Sequence, residues 1–388
     1  MQAFQSLHKE KLIYKQVKKW IVGMRTSSRS RRAHAASSPA VILLLAGQTD
    51  WDALFNNAHT VPFSSAFSNE AVKFGHKLIP VLRNAVAGTT LEVACGSAAY
   101  RSLVQALGDD YRGTLMLADD VDKKELSAWV HEMLLYGRPI VCVACSGSEP
   151  SPVAISRAAS RSYYLYFDHA AAVQCALNAL AQNGHRSIAL PGFGAGHITW
   201  VERRIALCRA FGAKLSPPAH ISTVDLNEQF WCCNYRTHEL VEPRNSFANR
   251  VLTTVNRPRM KQYSFRKLLL KATSSMVSLL KSGTISALMC PNDAMATDLY
   301  TWCRHAGIEI PRHLSMISFG NIPESVMYPI TTVDFGLDRL GYLAAHAFIG
   351  DIAIKAGKNG EIGSVPTLID RGSVAVHEAS TTNKKRLH

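Results

Sequence analysis

The residues best placed to do chemistry stand in one short stretch, residues 287–296, which read ALMCPNDAMA. An apolar, strand-like run stops at Pro291, and the polar pair Asn292–Asp293 opens a segment with helical spacing. A strand-to-helix turn of this kind puts side chains and a helix N-terminus at the crevice where α/β proteins hold ligands. Asn292 can donate and accept hydrogen bonds. Asp293 can accept from a ligand hydroxyl or simply cap the helix, and both readings stand on the sequence.

Other candidate chemistry is thin. Gly192-Phe-Gly194-Ala-Gly196 has the glycine density of a phosphate loop but lacks the full frame and the following Lys-Ser/Thr, so a turn needing positive φ explains it better. There is no GxSxG elbow and no HExxH. Fifteen histidines are scattered, and His76, His185, His197 and His238 show no paired ligand spacing. Cys142 and Cys145 have redox-pair spacing but sit inside an apolar run instead of opening a helix. Cys95 ends a strand-like run with no base to assign to it. Nine cysteines, an odd and scattered set, read as reduced thiols. No enzyme, metal or cofactor is expected.

The elements that must position Asn292 and Asp293 alternate. Strand-like runs fall at 40–46, 90–94, 114–118, 139–144, 163–167, 187–190, 285–290 and 314–319. Helical spacing falls between them at 69–86, 100–107, 123–136, 169–183, 200–211, 263–282 and 294–306. Alternation predicts an α/β protein with parallel sheets. Eight or more strands over this length predict two doubly wound lobes with a crevice at the strand carboxyl ends. No apolar run approaches the ~20 residues of a spanning helix, and no secretory leader is read at the Met1 end, so a cytoplasmic protein is expected.

Charge is uneven. The chain of 388 residues carries a formal net charge of +14. Residues 1–33 hold Lys9, Lys11, Lys15, Lys18, Lys19, Arg25, Arg29, Arg31 and Arg32 against Glu10 alone. Lys384, Lys385 and Arg386 add a basic tail. A nearly neutral body thus has a basic arm, which attracts polyanions through phosphate neutralisation. A solvated tail and a transit peptide are the competing readings of the arm. The expected organisation is an arm and linker at 1–38, a two-lobed domain at 39–380 and a tail at 381–388. Lobe 1 is expected at about 39–163 and 335–363, and lobe 2 at about 164–334 and 364–378.

Three stretches carry a family resemblance. ALMCPNDAMA, HAGIEIPRHLSMISFGNIPES (305–325) and PITTVDFGLDRLG (329–341) resemble the C-terminal part of LacI-type transcription regulators. FDHAAAVQCALNALAQNGHRSIAL (167–190) is similar to that family's strand, Asp, helix and GHR-x-IA strand, and VPTLIDRGSVA (365–375) to its closing strand. The resemblance implies a periplasmic-binding-protein-like fold, two lobes closing on a small and commonly sugar-like effector, and a homodimer. It implies effector contacts at Asp168, Arg203, Asn292 and Asp293, with Asn321 alongside. Arg203 is singled out because it stands three residues before the small Ala206 in WVERRIALCRAFGA (200–213). One departure is informative: where sugar-binding members read GYDD or GFDD, this chain reads SFGN, so Gly320 removes an acceptor usually aimed at a sugar hydroxyl. Residues 226–273 fit no part of the pattern.

Residues 3–23 (AFQSLHKEKLIYKQVKKWIVG) resemble the back end of a GntR-type winged helix, and equally suit a lone amphipathic helix with Phe4, Leu7, Tyr14, Val17 and Ile21 on one face. The implied partner is DNA, with phosphates contacted by Lys9, Lys11, Lys15, Lys18, Lys19 and Arg25. The expectation is a DNA-binding regulator controlled by lobe closure. The alternative is a small-molecule binding protein without specific DNA binding. An uptake-system binding protein is disfavoured by the lack of a leader.

Overall fold

A computed structural model describes residues 38–45, 60–82, 95–118, 123–144, 162–193, 199–226, 233–234, 239–240 and 284–377. The first sheet is built from β1 (Ala40–Leu45), β2 (Lys77–Leu82), β3 (Tyr111–Leu117), β4 (Ile140–Ala144), β5 (Tyr163–Tyr166) and β13 (Glu361–Gly363). Its strand order is β13-β5-β4-β3-β1-β2, all parallel. The second is built from β6 (Ser187–Phe193), β7 (His220–Leu226), β10 (Ala287–Met289), β11 (Ser315–Phe319), β12 (Thr331–Asp334) and β14 (Thr367–Ile369). Its order, β14-β12-β11-β10-β6-β7, repeats the first, with only β14 antiparallel. The expected fold of two doubly wound parallel-sheet lobes is thus present. A short ladder of β8 (Cys233–Asn234) and β9 (Glu239–Leu240) stands apart.

The apolar runs form strands because both sheet faces are covered. In β1, Val41 and Leu43 enter one core cluster while Ile42 and Leu44 enter another. In β4, Val141 and Val143 face the first and Cys142 and Ala144 the second. Alternation across a strand then demands apolar residues at every position, not every second one. β2 departs from the sequence expectation of one helix over residues 69–86. Instead α1 (Val61–Lys73) ends before Gly75, whose φ is +76°, and KLIPVL forms an edge strand. Pro80 is tolerated there because β2 has a neighbour on one side only.

α2 (Cys95–Leu107) and α3 (Lys123–Leu134) belong to lobe 1, while α4 (His169–Gln182), α5 (Thr199–Gly212) and α6 (Asp293–His305) belong to lobe 2. α7 (Leu337–Ile349) returns to lobe 1, where Gly341 lies against α1 so closely that a Cβ would overlap the Phe63 carbonyl oxygen. The chain therefore crosses between lobes three times: from β5 into α4, from β12 into α7, and from β13 into β14. The first crossing follows Tyr166, so the expected start of lobe 2 at 164 falls inside a lobe 1 strand. Among the described residues, no helix is long and apolar enough to cross a membrane. The strand expected at 90–94, the helix expected at 263–282, the arm, its six lysine and arginine contacts and the basic tail lie outside the described residues.

Candidate effector crevice

In lobe 2 the strand order reverses between β6 and β10, whose connections leave toward opposite faces. A crevice forms at the carboxyl ends of strands at such a switch point. The residues gathered there come from the ends of β6, β10, β11 and β12 and from the first turns of α4, α5 and α6. A cavity at this point is lined by Leu190, Pro191, Met289, Cys290, Arg204 and Phe319, among others.

Asp293 is fully buried. Thr332 Oγ1 donates to its Oδ1 at 2.6 Å, and Ser318 Oγ donates to the same oxygen. The Ile322 N–H and Ser325 Oγ donate to Oδ2, each at 3.0 Å. Four donors satisfy a buried carboxylate without a contacting cation. They tie the start of α6 to β11, to β12 and to the turn between them. Both oxygens are thus occupied by the chain itself, which makes Asp293 a scaffold for the crevice. Asn292 does what the local sequence implies: it is the N-cap of α6, accepting from Met295 N–H at 2.9 Å. Asp168 likewise caps α4, accepting from Ala171 N–H at 2.9 Å, while its own N–H donates to Ser364 Oγ. Asp168 thereby sits on the first crossing and is bonded to the third.

Asn321 holds the lobe together at another point. Its Nδ2 donates to Asp334 Oδ2 at 2.7 Å and its Oδ1 accepts from Arg371 Nη2 at 2.5 Å. Its φ of +51° is a left-handed conformation that asparagine tolerates. Both ends of its amide are engaged, linking the turn after β11 to the end of β12 and the segment after β14.

The guanidinium at the crevice is Arg204's. Arg204 is 8% exposed, whereas Arg203 beside it is only half-buried. Neighbouring helix residues point about 100° apart, so the two cannot share one direction. The cavity is lined by Arg204, and the expected contact residue Arg203 stands next to it on α5. A signal for this was present in the sequence. Val201, Ile205 and Cys208 form the apolar stripe of α5, and Arg204 lies within it while Arg203 lies outside.

Arg204 is packed by aromatic faces. Its guanidinium carbon lies 4.7 Å from the Trp200 and Phe319 ring centres and 5.1 Å from that of Phe335. Such contacts stabilise a desolvated cation. Nε donates to His169 Nδ1 at 2.9 Å, which fixes that ring as the neutral tautomer with its proton on Nε2. Nη1 donates to the Pro291 carbonyl. Burial pulls the Arg204 side chain down to about 9, offset in part by the thiol of Cys208 and the carboxylate of Asp293. It remains a cation at neutral pH. Trp200, His169, Phe335, Ser318 and Thr332 were not picked out by sequence reasoning, because only the folded strand ends bring them together.

Among the described residues, no group of three His, Cys, Asp or Glu side chains is arranged to hold a metal. Cys142 is a buried free thiol within β4.

Comparison with known proteins adds to this geometry. A family model described as a periplasmic binding protein-like domain matches residues 177–374, just over half of the chain. The chain belongs to that family. The matched segment spans lobe 2, α7 and β13, and so contains the crevice residues Arg204, Asn292, Asp293 and Asn321. Among curated proteins, the HTH-type transcriptional repressor PurR of Aliivibrio fischeri is 28% identical over 106 residues. That match covers 27% of this chain and 32% of the repressor, about a third of its length. Among solved structures, a LacI family transcriptional regulator from Enterococcus faecium with bound ribose aligns with a TM-score of 0.53 at 15% identity. It covers 87% of this chain and 100% of that one. The lac repressor dimer bound to operator and an anti-inducer aligns with a TM-score of 0.53 at 13% identity, covering 91% and 98%. At these identities the structural likeness establishes the fold.

Proposed function

We propose that this protein is a DNA-binding transcriptional regulator of LacI type, whose crevice takes a small-molecule effector that sets DNA affinity. The observation that carries the reading is the pair of like-ordered lobes joined by three crossings, with a buried cation at the switch point of one. Three thin connections let two rigid sheets rotate as bodies, and an effector bridging them shifts the balance of open and closed states. Sequence similarity to a transcriptional repressor supports the regulator reading. In a homodimer, lobe closure in each protomer alters the spacing of the DNA-contacting heads, which is a coupling free energy between effector and DNA.

Effector contacts are assigned to the rim formed by Asp168, Asn292 and Arg204, with Arg203 at its edge. Asp293 and Asn321 act by holding that rim in place. Lys9, Lys11, Lys15, Lys18, Lys19 and Arg25 are assigned to DNA phosphates, contacts that position the protein without reading sequence. The basic arm also keeps a second reading open, a small-molecule binding protein with non-specific polyanion affinity only.

Fluorescence anisotropy separates the two. A promoter fragment from the protein's own locus is compared with a scrambled duplex across a salt series. Selective binding, weakened or strengthened when the crevice is filled, is the expected result. Equal, steeply salt-dependent binding to both duplexes would leave only the basic arm at work.

A further inference from the structure

We propose that the molecule accepted by lobe 2 carries a carboxylate, and that Arg204 is the group that takes it. This rests on the effector reading above and names the effector's class: a small organic carboxylate, not a neutral polyol.

The argument is a count of donors and acceptors at the crevice. Arg204 spends Nε on His169 and Nη1 on the Pro291 carbonyl, while Nη2 donates to none of the described residues. This donor belongs to a side chain that is 8% exposed and lines the cavity. Among the described residues, no carboxylate lies within ion-pair distance of it. Most acceptors on the same side are already committed. Asp293 has four donors. Asp334 accepts from Asn321 Nδ2 and from Gly336 N–H, each at 2.7 Å. Asp168 gives Oδ1 to Ala171 N–H, which leaves one carboxylate oxygen at the rim, and position 320 is glycine. A polyol brings hydroxyl donors as well as acceptors, and its donors would find few free partners here. A carboxylate brings acceptors only, and its two oxygens match the fork of Nη1 and Nη2.

The surroundings favour the same class. Trp200, Phe319 and Phe335 flank the guanidinium, and Leu190, Val201 and Met289 line the cavity. Apolar walls exclude water and strengthen an ion pair relative to solvent. Burial disfavours the Arg204 cation, and an incoming anion offsets that cost.

Isothermal titration of the full chain with two matched pairs provides the test: benzoate against benzamide, and D-gluconate against D-glucose, at millimolar concentration. At least one acid should bind, about tenfold or more tighter than its neutral partner. Arg204→Gln should weaken that acid by about 10- to 100-fold, the loss expected for a charged hydrogen-bond pair. Arg204→Lys keeps the charge and should retain part of the affinity; it serves where Arg204→Gln fails to fold, as judged by circular dichroism. A neutral partner binding as well as its acid would overturn the carboxylate class and leave the effector crevice standing. Absence of binding by both acids, or acid binding that survives loss of the guanidinium, would also overturn the proposal. The DNA experiment above judges the effector reading independently.

Discussion

In lobe 1 a prominent buried polar cluster is neutral: the hydroxyls of Tyr100, Tyr111 and Thr114 close a triangle at 2.7 to 2.9 Å within an apolar core. In lobe 2 the buried polar centre is built from acidic and basic side chains, with the Asp293 carboxylate under four donors and the Arg204 guanidinium between aromatic rings. The two sheets share one strand order, so topology does not cause the difference. Hydroxyls in a closed triangle satisfy one another and need nothing from outside. A buried charge costs far more to desolvate and is kept only where something answers it. Asp293 is answered entirely by the chain, which makes it architecture. Arg204 is answered in part, which makes it the open position of the lobe.

The contrast can be broken by experiment. The largest effect is expected for Asp293→Ala, which strands four buried donors; urea unfolding should show a loss of about 4 kcal/mol. A loss under ~1 kcal/mol would mean that the network is not what holds the crevice end together.

Next is acid sensitivity at the opposite end of lobe 2. His185 is buried between Ser286 and the Ala375 carbonyl, and burial pulls it down to about 4 from 6.5. The unfolded chain then binds the extra proton between those values. Stability should fall as pH drops from 6.5 toward 4, by up to about 3 kcal/mol. Hydrogen exchange resolved by peptide should show this opening in lobe 2 before lobe 1. Simultaneous opening would remove the distinction.

Tyr111→Phe in lobe 1 deletes one corner of a neutral triangle, and about 1 kcal/mol in thermal or urea unfolding is expected. A cost matching that of Asp293→Ala would erase the comparison.

The remaining effect should be a gain. Asp298 on α6 has Oδ2 buried without a hydrogen-bond partner, and burial raises it to about 7 from 3.8. Between those values the folded chain holds the extra proton, so stability is lost as pH rises toward 7. Asp298→Asn should raise the melting temperature by a few degrees at pH 8 and leave it nearly unchanged at pH 4. An equal shift at both values would detach the gain from ionisation.

Much of the fold was legible because strands covered on both faces leave an uninterrupted apolar signature. β1, β4 and β11 fall where AVILLLA, PIVCVA and LSMISF stand. Most of the strands that escaped are edge strands, although the short interior strand β12 and helix α7 escaped as well. β2 contains Pro80, β7 (HISTVDL) is polar at four of its seven positions, and β13 is three residues long. Half-covered strands need less apolar surface and so announce themselves weakly. The site was legible in part. Asn292 and Asp168 act locally, as caps, and a local rule finds them. Asn321 and Asp293 are expected effector contacts, but the partners that engage them here come from elements far along the chain.

By itself, then, the sequence determined the alternation of strands and helices, the two-lobed class, the position of the turn at Asn292–Asp293 and the basic arm. Each of these follows from periodicity, capping chemistry or net charge, which are properties of neighbours along the chain. Only the tertiary structure decided which arginine of the adjacent pair enters the crevice, and that Asp293 is spent on Ser318, Ile322, Ser325 and Thr332. Those outcomes depend on helix rotation and on the convergence of strand ends. They are set by packing between residues from 25 to more than 80 positions apart, distances over which sequence spacing carries no geometric information.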